Sequence, residues 1–185
     1  MTPFSVCVFC GSRMGNDPAY EATATALGRA LADANMRLVY GAGDVGLMGA
    51  VANGAQAAGG QTFGVIPVHL LKKEVGKRDL STFVITENMH ERKKVMFMNA
   101  DAIVTLPGGA GSLDELFEVL TWRQLGLHSK PVYLLDINGY WQPLLDLLKH
   151  MVVSGFADES FLKSLIVVET TADLMTRLTH KNQSG

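Results

Sequence analysis

The chain has 185 residues, 48% of them hydrophobic and 18% charged, with a formal net charge of −2. This length and composition predict a single globular domain, residues 1–185, with a polar tail from about residue 180. The charge balance excludes a protein built mainly to bind nucleic acid or an anionic membrane surface. It leaves room for a small anionic ligand, because local charge decides that.

Apolar runs alternate with helical patterns along the chain. Strands are expected at 4–10, 37–40, 61–66, 82–86, 102–106, 131–136 and 165–168. Helices are expected at 18–34, 47–58, 90–99, 113–127, 141–153 and 172–179, with a polar stretch at 68–81. The strands read as continuous Val, Ile and Leu runs, the pattern of strands buried on both faces. This predicts an α/β fold, a doubly wound parallel sheet of the Rossmann-like kind. Ligands in such folds sit at the carboxyl ends of the strands, and the glycine-rich loops here all follow strands.

Two cysteines make no disulfide framework. The N-terminus lacks the basic-then-apolar pattern of a secretory signal. No window approaches the ~18 apolar residues that span a bilayer. A cytoplasmic protein with no membrane partner is the expectation.

The loop after the fifth strand is Pro107-Gly108-Gly109-Ala110-Gly111, running into a helix. Glycines let a ligand approach the backbone closely. A helix N-terminus offers unpaired N–H groups and partial positive charge. Together Gly108, Gly109, Ala110, Gly111 and Ser112 predict a phosphate site. Ser112 and Glu115 have the Ser-x-x-Glu spacing of a capping box, which would satisfy the helix start and require no chemistry. Alternatively Glu115, one turn in, faces a sugar as a carboxylate that the helix N-terminus keeps ionised. A carboxylate there stabilises an oxocarbenium-like centre or activates water. Asp114 and Glu115 would also repel a phosphate unless they have another task.

Gly41-Ala-Gly43-Asp44-Val-Gly46 fits G-x-G-x-x-G, but it follows the second strand. No Asp or Glu occurs between Asp44 and Glu74 to grip a ribose 2′-hydroxyl. A nucleotide contact at Gly43 and Asp44 remains open; a nicotinamide site does not. Cys7-Val-Phe-Cys10 resembles a redox pair, yet strand residues three apart point to opposite faces. The five histidines form no ligand cluster, so no metal is expected. Met89-His-Glu-Arg92-Lys93-Lys94 opens a helix beside the proposed site. Arg92 suits phosphate or ribose through its planar fork, whereas Lys94 suits a solvated helix face.

The stretch Pro107-Gly-Gly-Ala-Gly-Ser-Leu-Asp-Glu115 resembles the PGGxGTxxE signature of the Lonely Guy (LOG) family of cytokinin-activating phosphoribohydrolases. Met89-His-Glu-Arg-Lys93 matches that family's second signature. Cys10-Gly11-Ser12, the segment 39–49, Gly64-Val-Ile-Pro67 and Thr121-Trp-Arg-Gln-Leu-Gly126 support it. The resemblance runs from about residue 4 to 168. It implies hydrolysis of an N6-substituted or plain adenosine 5′-monophosphate to free base and ribose 5-phosphate, with no cofactor. It implies Arg92 and Glu115 as the catalytic pair. It implies substrate contacts from Glu74, Lys93, the 109–112 loop and Thr121, with Gly11, Ser12, Gly43 and Asp44 as further candidates. Ser112 stands where the family usually has Thr and keeps the hydroxyl. Ala42 and Asp44 depart from the usual Gly-Gly-Gly-Ser-Val-Gly loop. Similar sequences are often called lysine decarboxylases, but nothing here marks a lysine for a Schiff base.

On this basis the 5′-phosphate is expected on the 108–112 amides and Glu115 at the anomeric carbon or its water. Arg92 would orient ribose or phosphate. A guanidinium keeps its proton, so the acid for the leaving base is unassigned. The 113–127 helix is apolar around most of its circumference, which predicts cover on more than one side and a homodimer with sites near the interface. The competing reading is a non-catalytic nucleotide or molybdenum-cofactor carrier, which would not need Arg92 and Glu115 together.

Overall fold

A computed structural model describes residues 3–71 and 79–183. The strands are β1 (Ser5–Phe9), β2 (Arg37–Tyr40), β3 (Thr62–Pro67), β4 (Thr82–Thr86), β5 (Ala102–Thr105), β6 (Val132–Leu135) and β7 (Leu165–Val168). The helices are α1 (Pro18–Asp33), α2 (Gly46–Ala57), α3 (Met89–Met98), α4 (Ala110–Gln124), α5 (Gln142–Val153), α6 (Glu159–Leu162) and α7 (Thr171–Gln183). A 3-10 turn at Ile137–Gly139 and the one-turn α6 lie outside the expected elements.

The strands form one parallel seven-stranded sheet in the order β4-β3-β2-β1-β5-β6-β7. The doubly wound fold read from the sequence is therefore the observed one. β1, β5 and β6 are buried along their whole length, as their unbroken apolar runs require. β4 and β7 are edge strands and expose part of theirs.

Helices cover both faces. Leu27 and Leu31 of α1, Val51 of α2 and Leu174 of α7 join Val6 and Val8 in one core. Met96 of α3, Leu116 and Leu120 of α4 and Leu144 of α5 join Cys7 and Phe9 in the other. Cys7 and Cys10 belong to opposite cores and are both free thiols. Burial pushes both thiols far above their usual range, so they are packing residues.

α1 and α2 touch backbone to backbone. A Cβ on Gly28 would overlap the Val51 carbonyl oxygen, and one on Gly54 would overlap the Thr25 carbonyl oxygen. This close approach sets the loop before α2 against the loop before α1. We expect Gly54→Ala to destabilise the fold by about 1–3 kcal/mol through overpacking, against a helix-propensity gain of at most ~1 kcal/mol. Urea unfolding should show a lower midpoint at unchanged slope. A variant as stable as the parent would show that these helices separate freely.

Candidate functional site

The strand order reverses between β1 and β5. From β1 the chain winds outward to β4, then returns to lay β5 against β1. The two strands end level, Phe9 opposite Thr105, and their following loops part to opposite faces. A crevice opens there, as at every such switch point. The loops are tied across it by Gly11 N–H donating to the Pro107 carbonyl at 3.0 Å. Above them lies a cavity of about 540 Å³, a size suited to a small ligand. Gly11, Ser12, Arg92, residues 108–112 and Glu115 all line it.

α4 starts at Ala110, three residues before the sequence pattern suggested. Gly109 is the N-cap, and no side chain caps the helix. Ser112 is thus the third helical residue and cannot be the cap, so the capping-box reading is overturned. Its side chain folds back on Gly108, where a Cβ would overlap Ser112 Oγ. The first helical hydrogen bond runs from Leu113 N–H to the Gly109 carbonyl, 3.1 Å. The Ala110, Gly111 and Ser112 amides precede it and have no helical acceptor. They line the cavity with the positive end of the α4 dipole behind them.

The carboxylates next to these amides divide by partner. Lys93, itself buried, holds Asp114 at 3.0 Å and Glu118 at 3.2 Å. Burial works to lower the Lys93 ammonium, but the hydrogen bonds and charges of Asp114 and Glu118 prevail and hold it above its usual value. Their negative charge is thereby answered from outside the cavity. Glu115 has no such partner among the described residues. Burial raises its carboxyl from the usual 4.5 to about 7, although the Arg92 charge pulls the other way. The expectation that the helix N-terminus keeps Glu115 ionised is therefore corrected. Desolvation outweighs the dipole, whose stabilising effect is ~0.3–1 kcal/mol.

Arg92 is buried on α3 and fixed by two backbone carbonyls. Its Nε donates to Val65 at 3.1 Å and its Nη2 to Gly41 at 2.7 Å. Among the described residues, Nη1 meets only Met89 Sδ, at 3.8 Å. The guanidinium reaches the cavity with that edge to offer. Lys94 is exposed on the outer face.

Gly41 and Gly46 explain the G-x-G-x-x-G pattern. A Cβ on Gly41 would overlap the Arg92 guanidinium. Gly46, at φ +61°, lies against the Ser12–Arg13 backbone, which a Cβ would also overlap. These glycines pack loops and a guanidinium, and Gly43 and Asp44 are not among the cavity-lining residues.

The remaining sequence candidates fall elsewhere. Lys93 backs the cavity through its ion pairs and does not line it. Thr121 is exposed on the outer face of α4, its hydroxyl donating to the Phe117 carbonyl at 2.7 Å. It borders a shallow groove with Leu113, Phe117 and Trp122. Glu74 lies outside the described residues. The sequence reading missed Tyr20, Met14, Leu70, Met89 and Tyr140 on the cavity wall. Only the position of Tyr140, just after the Asn138-Gly139 turn at the carboxyl end of β6, could have flagged it.

Fold and cavity define a Rossmann-like α/β protein whose switch-point cavity is lined by uncapped helix-start residues. A family model described as possible lysine decarboxylase matches residues 48–178. A rice (Oryza sativa subsp. japonica) protein named probable cytokinin riboside 5′-monophosphate phosphoribohydrolase LOG4 is 43% identical over 95% of this chain and 76% of its own. A Rhodococcoides fascians cytokinin riboside 5′-monophosphate phosphoribohydrolase is 44% identical over 90% of this chain and 84% of its own. The chain belongs to the LOG family of these phosphoribohydrolases. Among solved structures, the molybdenum cofactor carrier protein of Chlamydomonas reinhardtii shares the fold, with a TM-score of 0.74 and 19% identity over 97% of this chain and 98% of its own. The decarboxylase description finds no support at Lys93, since a Schiff-base lysine needs a lowered pKa and this ammonium is raised. Lys130, which burial does pull down, bonds the Phe97 and Ala100 carbonyls. These lie toward the amino ends of β5 and β6, away from the cavity.

Glu115 makes stability depend on pH in a stated direction. Between its unfolded value of 4.5 and its folded value of about 7, the native protein holds a proton that the unfolded chain has released. Stability therefore falls as pH rises through that window, by on the order of 3 kcal/mol in total. Glu115→Gln removes this dependence. Near pH ~8 the variant should be the more stable protein by up to that amount, and near pH ~4 the two should match. Parallel melting curves for parent and variant at all pH values would refute the elevated carboxyl.

Proposed function

We propose that the protein hydrolyses the N-glycosidic bond of an adenine-type nucleoside 5′-monophosphate, giving free base and ribose 5-phosphate. The observation that carries this reading is the convergence of a desolvated carboxyl, Glu115, and a carbonyl-clamped guanidinium, Arg92, on a cavity floored by unpaired helix-start amides. Relatives at 43% and 44% identity are named for this chemistry on cytokinin riboside 5′-monophosphates.

The 5′-phosphate sits on the 109–112 amides, where backbone N–H groups and the helix dipole favour an anion. Arg92 places its remaining N–H edge against ribose or phosphate. C1′ then lies near Glu115. Water attacks C1′ as the bond to the adenine nitrogen breaks; the Glu115 carboxylate takes the proton of that water, and the departing adenine nitrogen takes a proton from solvent. The oxocarbenium-like charge at C1′ is stabilised by the same carboxylate. A carboxyl titrating near neutrality suits this task, because it is a stronger base than an ordinary glutamate.

Glu115→Gln should abolish base release from AMP and from isopentenyladenosine monophosphate, with nucleotide affinity changed only a few-fold. For the parent enzyme, kcat/KM should rise with pH through about 7 as Glu115 ionises. Full turnover in Glu115→Gln would sink the assignment. Tight nucleotide binding without base release by the parent would favour a carrier, the class whose fold the protein shares.

We further propose a homodimer, with a second copy covering the α4 groove. Ala110 and Asp114 line both groove and cavity, so a partner seated there stands beside the site and near Thr121. Phe117 and Trp122 are only partly buried within one chain. Light scattering should give twice the chain mass. Thr121→Arg, an exposed change in the groove, should give monomers and lower turnover; a monomeric parent would refute the dimer.

A further inference from the structure

Tyr140 donates its phenolic hydrogen to the carbonyl of Gly108 at 2.6 Å. That carbonyl belongs to the peptide joining Gly108 to Gly109. A trans peptide is planar, with C=O and N–H on opposite edges. Holding the Gly108 oxygen therefore fixes the direction of the Gly109 N–H. Glycine on both sides of this peptide leaves its rotation soft, and Gly109 has open space where a Cβ would stand. The preceding peptide is pinned in the same manner, through the Pro107 carbonyl and Gly11 N–H.

The phenol is braced for this task. Its ring meets Tyr20 edge-on at 5.5 Å and Trp141 at 4.7 Å. The turn that delivers it is tied at both ends. Asn138, at φ +53°, donates to Asp17 at 2.9 Å, and Trp141 N–H donates to Asp136 at 2.7 Å. Asp17 is the N-cap of α1, and Tyr20 lies in its first turn. Tyr140 thus couples the loop after β6 to both loops that frame the crevice, and its own side chain lines the cavity.

We propose that Tyr140 is a positioning residue for phosphate. It locks the Gly108–Gly109 peptide so that the Gly109 N–H stands with the Ala110, Gly111 and Ser112 amides as a ready anion cradle. Without it, the glycine peptide rotates, and part of the binding free energy goes to ordering it. This rests on the phosphate cradle of the proposed function, but it is tested by binding, with no turnover required.

The test compares Tyr140→Phe with the parent in calorimetric titrations of AMP and of ribose 5-phosphate, which carries the phosphate and no base. The variant keeps the ring and loses one hydrogen bond, the equivalent of a roughly three- to tenfold weakening. Both ligands should weaken by the same factor in that range, with the melting temperature of the free protein near that of the parent. In the ligand-free protein, the Gly109 amide resonance should shift, while amides beyond the 107–112 loop and the 137–141 turn stay in place. Unchanged affinity for ribose 5-phosphate overturns the proposal. If AMP alone weakens, Tyr140 is a wall for the base and the proposal also fails. An unmoved Gly109 amide refutes it even where the variant proves too unstable for titration. Failure of the hydrolase reading would look different, with both ligands bound by the parent and no base released.

Discussion

A parallel sheet whose winding reverses between β1 and β5 imposes one constraint from which the rest follows. The two central strands end at the same level, and the chain must leave them in opposite directions. The gap between the departing loops cannot be filled by either one. Backbone hydrogen bonds tie its two sides, Gly11 N–H to the Pro107 carbonyl and Leu106 N–H to the Phe9 carbonyl. Every group assigned a chemical task stands around that gap. The helix-start amides arrive on the β5 side, Ser12 and Arg13 on the β1 side, and Arg92 reaches in over the carboxyl ends of β2 and β3.

The proposed phosphate site is flanked by acidic side chains, which poses an electrostatic problem, since like charges in a water-poor cavity interact strongly. Asp114, Glu115 and Glu118 all fall within the first nine residues of α4. Two are answered by one buried lysine, so Lys93 cancels charge that would otherwise oppose the ligand. The third is left to desolvation and takes up a proton near neutrality. The same helix thus carries an inert carboxylate pair and a responsive carboxyl. What separates them is the lysine one helix away, on a face that the cavity does not share.

Much of this was legible in the sequence, and the boundary is physical. Continuous apolar strands separated by helical segments specify a buried parallel sheet, because only that arrangement hides both strand faces. The glycine run before α4 signals close backbone approach whatever the ligand. The partners of each carboxylate were not legible. Ser112 and Glu115 have capping-box spacing, yet the helix begins three residues earlier, and local spacing cannot choose between two starts that differ by less than one turn. The raised Glu115 carboxyl depends on burial by residues distant in sequence. The hydrogen bond of Tyr140 was invisible for the same reason. Its partner, Gly108, is 32 residues away, and a hydroxyl reaching a backbone carbonyl leaves no pattern.

The G-x-G-x-x-G segment carries the matter one step further. In a dinucleotide site the glycines admit a pyrophosphate close to the backbone. Here the same permissiveness admits protein groups, the Arg92 guanidinium at Gly41 and the Ser12–Arg13 backbone at Gly46. Both readings share one physical statement, that something must approach where a side chain would stand. The motif identifies the approach and leaves the approaching group open. At Gly41 that group is itself a proposed ligand-binding cation, so the loop contributes to the site through Arg92. A residue larger than glycine there would push the guanidinium off its two carbonyls and out of line with the cavity. Gly41 of the loop after β2 is thereby explained by the geometry of α3, one helix and two strands further along the chain.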